Sequence, residues 1–393
     1  MQIWLFDLDG VLIYPGGYRA ALKATINHWS RAMDLGDCAP DDATIEIFEA
    51  CGITSEWDSS AICLAIIFGE VWRANPALHL PRDFSAAIQT ARAFPIRANW
   101  NAIFSTWARR IGKALAHQHQ PPLAAYQLLI ADARQRSSAE RVAEFEFIAA
   151  LLLHHARDFA HSPTMRVFQH YTLGSERFAQ HFGLAAEFET TSFLRAFDRA
   201  TLSMEHHARV IQLAATREIL SVIYTLRPCL PSALAARPEE NPPEAEIALD
   251  MIGLSATPLI GFGHLAWLAR RHPRAPELFG KPSPVHALAA IARALGAKEK
   301  EALSAAYALA QENRLEKIWA RADGGKIELT VFEDSAKGIR GVRRAARLLE
   351  RAEIRAPVRA FGIATSEEKR AALRALNVAV FDDVNDALRA AWT

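Results

Sequence analysis

The chain has 393 residues, of which 51% are hydrophobic and 23% charged, with a formal net charge of +1. This is an ordinary soluble globular composition, and its balanced charge argues against nucleic acid or an acidic membrane surface as a partner. The length suggests two domains, or one domain carrying a large insertion.

The first residues already read as a strand, Ile3-Trp4-Leu5-Phe6, and no positively charged leader precedes an apolar stretch. No run of about 18 apolar residues could span a bilayer. Cys38, Cys51, Cys63 and Cys229 show neither CxxC spacing nor a dense disulfide framework, so small buried residues in a reducing cytoplasm are expected. The strand ends in Asp7-Leu8-Asp9-Gly10-Val11-Leu12. Residues two apart on a strand share a face, so Asp7 and Asp9 are expected to crowd and to need positive charge between them. A divalent cation, with a substrate that requires one, meets that need.

About two hundred residues of helical character follow. Pro121-Pro122 opens one helix, and Ser137-Ser138-Ala139-Glu140 reads as a capping box ahead of the one-sided row Val142, Phe145, Ala149, Leu152 and Phe159. Trp29, Trp57, Trp72, Trp100 and Trp107 fall in this part and are expected mostly in its core, a minority lining an apolar pocket. His154-His155 and His206-His207 sit in helical stretches, where adjacent side chains diverge by about 100°, so neither pair is expected to ligate a metal.

The next strand is Leu220–Tyr224, closed by Thr225-Leu226-Arg227, and the stretch Arg237–Pro243 reads as an exposed loop. Phe279-Gly280-Lys281-Pro282 then opens a helix over Ser283–Leu295, and 297–326 reads as an added helical segment. Beyond it come a strand at Ile327–Phe332, a helix at Lys337–Arg351, a strand at Val358–Ile363, a helix at Ser366–Leu376, a strand at Val378–Phe381 and a last helix after Asp383. This βαβαβα order predicts an α/β fold with a parallel sheet, whose ligands sit beyond the carboxyl ends of the strands. The core is expected over 1–14 and 215–393, with the helical insertion over 15–214. Asp382-Asp383 is expected to cap the last helix, with Asp386 in its first turn.

Four segments therefore fall at one sheet edge: Asp7-x-Asp9-Gly10, Thr225-Leu226-Arg227, Gly280-Lys281-Pro282 and Glu333-Asp334-Ser335-x-x-Gly338-Ile339. Arginine outnumbers lysine several-fold, and Lys281 is the single lysine between Lys113 and Lys298, which hints at a site needing a compact ammonium. Each segment alone has a plain reading: a strand end, a structural threonine, a surface ion pair, a helix cap at Asp334-Ser335. Together they match phosphoryl transfer through a covalent aspartate. Magnesium would be held by Asp7, the Asp9 carbonyl and Asp334; Lys281 and Thr225 would bind phosphate oxygens; Asp9 would serve as general acid and then base. Arg19 and Arg227 are candidate contacts for a second anionic group.

The four motifs, in this order, resemble those of the haloacid dehalogenase superfamily over residues 1–14 and 215–393. The resemblance implies a Rossmann-like doubly wound core, a magnesium-dependent aspartyl-phosphate mechanism and a helical cap after the first motif. It casts Asp7 as nucleophile, Asp9 as acid/base, Thr225 and Lys281 as phosphate binders, and Asp334 as metal ligand assisted by Glu333. Gly10, Leu226 and Arg227 fall among the substrate-binding positions. Leu226 stands where the family often has Asn, and the cap is unusually large. Members that cleave carbon–halogen bonds lack the second aspartate, so Asp9 points to a phosphate ester. A small-molecule phosphatase is the expected function; a phosphomutase, or a scaffold using the helical insertion, are the alternatives.

Overall fold

The computed structural model describes residues 1–118, 120–231, 234, 241–322 and 325–393. They form two compact units, one of Met1–Pro15 with Phe197–Thr393 and one of Gly16–Ala196.

The first unit is built on eight strands: β1 (Gln2–Phe6), β2 (Ile13–Tyr14), β3 (Arg199–Ala200), β4 (Leu220–Tyr224), β5 (Leu259–Ile260), β6 (Glu328–Glu333), β7 (Val358–Ile363) and β8 (Ala379–Phe381). Six of them make one sheet in the order β5-β4-β1-β6-β7-β8, and every neighbouring pair is parallel. Counted along the six sheet strands alone, this is the 3-2-1-4-5-6 order of a Rossmann-like doubly wound fold. The chain passes from one half of the sheet to the other beside β1, so β1 and β6 flank the switch point where the fold leaves a crevice. β2 and β3 pair antiparallel, Ile13 opposite Ala200, where the chain leaves this unit and returns to it.

Strand alternation explains why both faces are covered. Ile3 and Leu5 of β1, Val222 of β4, and Leu329 and Val331 of β6 join one core with the helices Pro284–Ala294, Glu299–Glu312 and Ala336–Arg351. Trp4, Phe6, Ile223 and Phe332 point the other way, into a core with Val210, Ala248 and Leu388 from the helices Met204–Ala215, Glu244–Met251 and Val384–Ala391. A parallel sheet buried on both sides needs strands apolar at every position, and β1 supplies four in a row.

The C-terminal elements lie within a residue or two of their sequence-predicted positions. The segment 297–326 contains the helix Glu299–Glu312, whose Ala302, Leu303 and Ala306 belong to the main core rather than to a peripheral addition. β5 and the β2–β3 pair escape sequence detection because two residues are too few for any periodicity. Residues 197–214, assigned to the insertion from sequence, belong to the sheet unit. Thr201 N–H donates to Leu12 O at 3.1 Å, Ser203 N–H donates to Asn385 Oδ1 at 2.8 Å, and Val210 is buried against the sheet. Of the expected loop at 237–243, residues 237–240 lie outside the described residues, while Asn241 and Pro242 are buried. Asp383 does cap the last helix, accepting from Asn385 N–H at 2.8 Å and Asp386 N–H at 3.0 Å.

The second unit is helical throughout its regular structure. Its helix Glu56–Ala74 is buried almost all round, from Asp58 to Phe68, as expected of a central helix. Trp72, Trp100 and Trp107 are buried, while Trp29 and Trp57 are half-buried. The helix Ala139–His154 is capped by Ser138, one residue later than the capping box predicts, because Ser138 Oγ accepts from Arg141 N–H. Among the described residues no helix is long and apolar enough to cross a membrane. All four cysteines are unpaired, and Cys38, Cys63 and Cys229 are buried.

Leu5 is 0% exposed in the central strand. Leu5→Ala is expected to cost about 2–5 kcal/mol, read as a lowered midpoint in equilibrium urea unfolding.

Candidate active site

β1 ends at Phe6, but its pairing with β6 continues one step further: Asp7 N–H donates to Phe332 O at 3.0 Å. Asp7 thus leaves the sheet beside Glu333 and Asp334, at the carboxyl edge. Its Oδ1 accepts from Leu8 N–H at 2.8 Å and lies 2.8 Å from Lys281 Nζ. The chain then turns tightly, with Leu12 N–H and Ile13 N–H both donating to Leu8 O. Gly10 makes the turn at φ +75°, and a Cβ there would lie 2.6 Å from Asp334 Oδ2. Both the left-handed backbone and the close approach require glycine. Its N–H donates to Ile13 O at 2.8 Å, which closes the turn, and its lack of a side chain makes room for Asp334.

The expected crowding of Asp7 against Asp9 is resolved differently. Because the strand stops, Asp9 sits in the turn, and its carboxylate is held by Arg227, with Nε 3.1 and 3.2 Å from the two oxygens and a further contact from Nη2. Arg227 also donates from Nη1 to Asp198 Oδ2 at 2.8 Å, and the Arg227 and Asp198 side chains are both 0% exposed. Arg227 is therefore a positioning residue for Asp9, not the open anion contact expected from sequence. Arg19, in the helical unit, pairs with Glu49 at 2.8 Å.

The acids that do converge are Asp7, Glu333 and Asp334, one carboxylate oxygen from each lying within 4.8 Å of the others. Lys281 bridges two of them, 2.8 Å from Asp7 and 2.9 Å from Glu333, with its ammonium 4.1 Å from the centre of the Tyr224 ring. Glu333 is buried and accepts from three donors: Tyr224 OH at 2.6 Å, Lys281 and, on its other oxygen, Ser335 Oγ at 2.5 Å. A Cβ on Gly338 would lie 2.1 Å from the Glu333 carboxylate carbon, so that helix start is glycine to admit the acid. Ser335 meanwhile caps the helix, accepting from Gly338 N–H at 3.1 Å. Asp334 meets Lys369 at 2.5 Å, a pair exposed on the lysine side.

Thr225 is buried beside β1. Its Oγ1 accepts from Arg227 N–H at 3.1 Å, which leaves its hydroxyl proton to donate. Leu226 is exposed and reaches over Gly280, where a Cβ would meet Leu226 Cδ2 at 2.8 Å. His206 stacks on Trp392, and His207 reaches the Gly253 carbonyl, so that pair diverges as its helix requires.

Three carboxylates facing two ammonium groups leave negative charge uncompensated. Burial, then the Glu333 carboxylate, raises the Asp7 carboxyl well above its ordinary 3.8, against the pull of Lys281. Burial also raises Asp334, against Lys369. Burial would lower Lys281, but Asp7 and Glu333 outweigh it and raise it. An all-oxygen, anionic donor set of this kind suits a hard dication.

No protein-family model matches the chain, and no curated protein matches it. Among solved structures, an X-ray structure of a Northeast Structural Genomics Consortium target aligns at TM-score 0.60 and 14% identity over 99% of this chain and 98% of that one. That likeness shows a shared fold. The phosphatase Tt82 from Thermococcus thioreducens aligns at TM-score 0.39 and 13% identity over 91% of each chain, too loosely to support an inference.

The sequence singled out neither Asp198, Lys369 nor a role for Tyr224. Tyr224 is the last residue of β4, just before Thr225, and only the β4–β1–β6 adjacency reveals that it touches Glu333. Asp198 and Lys369 carry no local signal, since their partners are 29 and 35 residues away along the chain.

Two outcomes follow from these contacts. Arg227→Met removes the guanidinium that pairs with both Asp9 and the buried Asp198 carboxylate, and is expected to destabilise the fold by about 3–5 kcal/mol in urea unfolding. Because Asp7 titrates above its unfolded value, its contribution to stability is complete below about pH 3.8 and is lost as pH rises through the raised folded value. In EDTA at pH 8, Asp7→Asn is therefore expected to unfold at higher urea than the parent, and this difference should vanish near pH 3.

Proposed function

We propose that the protein is a magnesium-dependent phosphate monoester hydrolase acting through an aspartyl phosphate on Asp7, with a small-molecule phosphate ester as its partner. The observation that carries this reading is Lys281, an ammonium brought from distant sequence to within 2.8 Å of Asp7 at the switch-point edge of the sheet. The ordered motifs that resemble the haloacid dehalogenase superfamily support it.

The donor set fits magnesium. Asp7 and Asp334 would hold the ion with the Asp9 carbonyl, while Glu333, engaged by Tyr224, Lys281 and Ser335, assists from behind. When bound, magnesium supplies charge neutralisation for the dianionic ester and for the acid cluster.

The remaining chemistry belongs to the chain. Carboxylates are weak nucleophiles toward an anion, and Lys281 screens the approach of Asp7 to phosphorus. Asp9 enters the step protonated, having taken a proton from solvent; Asp7 forms a bond to phosphorus as the bond to the ester oxygen breaks, and Asp9 gives that oxygen its proton, releasing the alcohol. Asp9, now a carboxylate, takes a proton from water, which attacks the same phosphorus. Phosphate leaves and Asp7 is restored. The guanidinium of Arg227 keeps Asp9 in one orientation through both steps, and the Thr225 hydroxyl donates to a phosphate oxygen.

With magnesium present, the protein is expected to release phosphate from p-nitrophenyl phosphate or from a panel of phosphorylated metabolites. Asp7→Asn should abolish release, and Asp9→Asn should slow it by about 100- to 10,000-fold. Absence of phosphate release from every ester, or undiminished release by Asp7→Asn, would overturn the proposal.

A further inference from the structure

In the helical unit, the turn between the helices Ala139–His154 and Pro163–Leu173 is pinned from within. Arg157 donates to Asp58 at 2.9 and 2.7 Å, and the Asp58 side chain is 1% exposed. Phe159 stacks on Phe182 with ring centroids 3.7 Å apart. The backbone closes on itself, Asp158 N–H donating to His155 O at 2.8 Å and Ser162 N–H donating to Asp158 O at 2.8 Å. Asp158 Oδ1 accepts from Ala160 N–H at 3.0 Å, which fixes the carboxylate.

Around those inward anchors, His155, Asp158 and His161 are 45%, 44% and 65% exposed at their side chains. Asp158 Oδ2 lies 2.6 Å from His161 Nδ1 and 3.8 Å from His155 Nδ1, and the two imidazole rings are 5.4 Å apart. One ligand atom from each residue lies within 4.8 Å of the other two.

We propose that His155, Asp158 and His161 form a site for a zinc-class transition-metal dication, separate in chemistry from the acid cluster of the sheet unit. Tetrahedral zinc with bonds of about 2.0–2.1 Å places its ligand atoms about 3.4 Å apart. The separations of Asp158 Oδ2 from the two imidazoles, 2.6 and 3.8 Å, bracket that value, and the imidazole nitrogens lie within 4.8 Å of each other, so side-chain rotations on a fixed turn would bring the three ligands to zinc distances. Two imidazoles with one carboxylate favour zinc, copper or nickel over magnesium and calcium, which prefer oxygen. The three side chains are half-buried to exposed, so water would take a fourth position. His154 is not part of the set, because its ring packs on Tyr126 at 4.3 Å. The i, i+3, i+6 spacing explains why the adjacent pair His154-His155 is uninformative while His155 still finds two partners. The ion would tie the end of one helix to the approach of the next.

The test is a calorimetric titration of the EDTA-stripped full chain with zinc chloride, in saturating magnesium to occupy oxygen-donor sites. A cobalt titration, read by the visible absorption of tetrahedral Co2+, runs in parallel. A single zinc is expected. His155→Gln and His161→Gln should each weaken binding by at least about tenfold, and His154→Gln should leave it unchanged. Asp158→Asn keeps the turn's acceptor for Ala160 and supplies the same comparison should a histidine variant fail to fold. Absence of zinc uptake by the parent, or equal uptake by the folded variants, would overturn the proposal.

Discussion

The sheet unit is organised around one ammonium group. Lys281 lies between Asp7 and Glu333, with its side chain 6% exposed and the Tyr224 ring beneath it. Two buried carboxylates this close repel and resist ionisation, and a cation between them reduces that cost. The position demands a compact charge on a narrow stem. A planar guanidinium would present a fork too broad for two acids that approach from different strands, which accounts for lysine in a chain otherwise rich in arginine. Tyr224 anchors the far acid, so β4, β1 and β6 each contribute to the polar cluster. Asp7 and Glu333 meet one ammonium because β1 and β6 are neighbours, and Tyr224 reaches Glu333 because β4 lies on the other side of β1.

Arginine appears where geometry suits it. Arg227 meets Asp9 through Nε and Nη2 and turns Nη1 toward Asp198, a forked arrangement that a lysine could not reproduce. Asp7 and Asp9, two residues apart in sequence, therefore have different cations and different freedom. Asp7 remains within a cluster that still carries excess negative charge, whereas the half-buried Asp9 is fixed in a turn by Arg227. In the proposed reaction the first would be the nucleophile and the second the proton carrier.

The small residues around the cluster are steric requirements. Gly10 gives way to Asp334 and Gly338 to Glu333, each where a methyl group would overlap the acid. Glycine at these two positions lets the strand ends approach closely enough for their carboxylates to share one locus. The loop and helix start are shaped by the charges they admit.

The strand pattern and its alternation were legible in the sequence. The apolar run Ile3–Phe6 marks a strand buried on both faces, Leu220–Tyr224 and Val358–Ile363 mark strands whose second halves are buried, and Ser335 and Asp383 mark helix starts, because these signals are local and arise from backbone hydrogen bonding and burial. Asp7, Glu333 and Asp334 stood out at the ends of apolar strand runs, and Lys281 as an isolated lysine just ahead of a helix. What the sequence could not contain was the pairing among them. The assignment of Lys281 to Asp7 and Glu333, of Arg227 to Asp9 and Asp198, and of Lys369 to Asp334 depends on strand order and on where β1 stops. The same holds for residues 197–214, whose helical pattern is the same in either unit and whose place was decided by what Val210 could be buried against. Charge pairing and burial act through space between residues remote along the chain, so only the folded arrangement determines them.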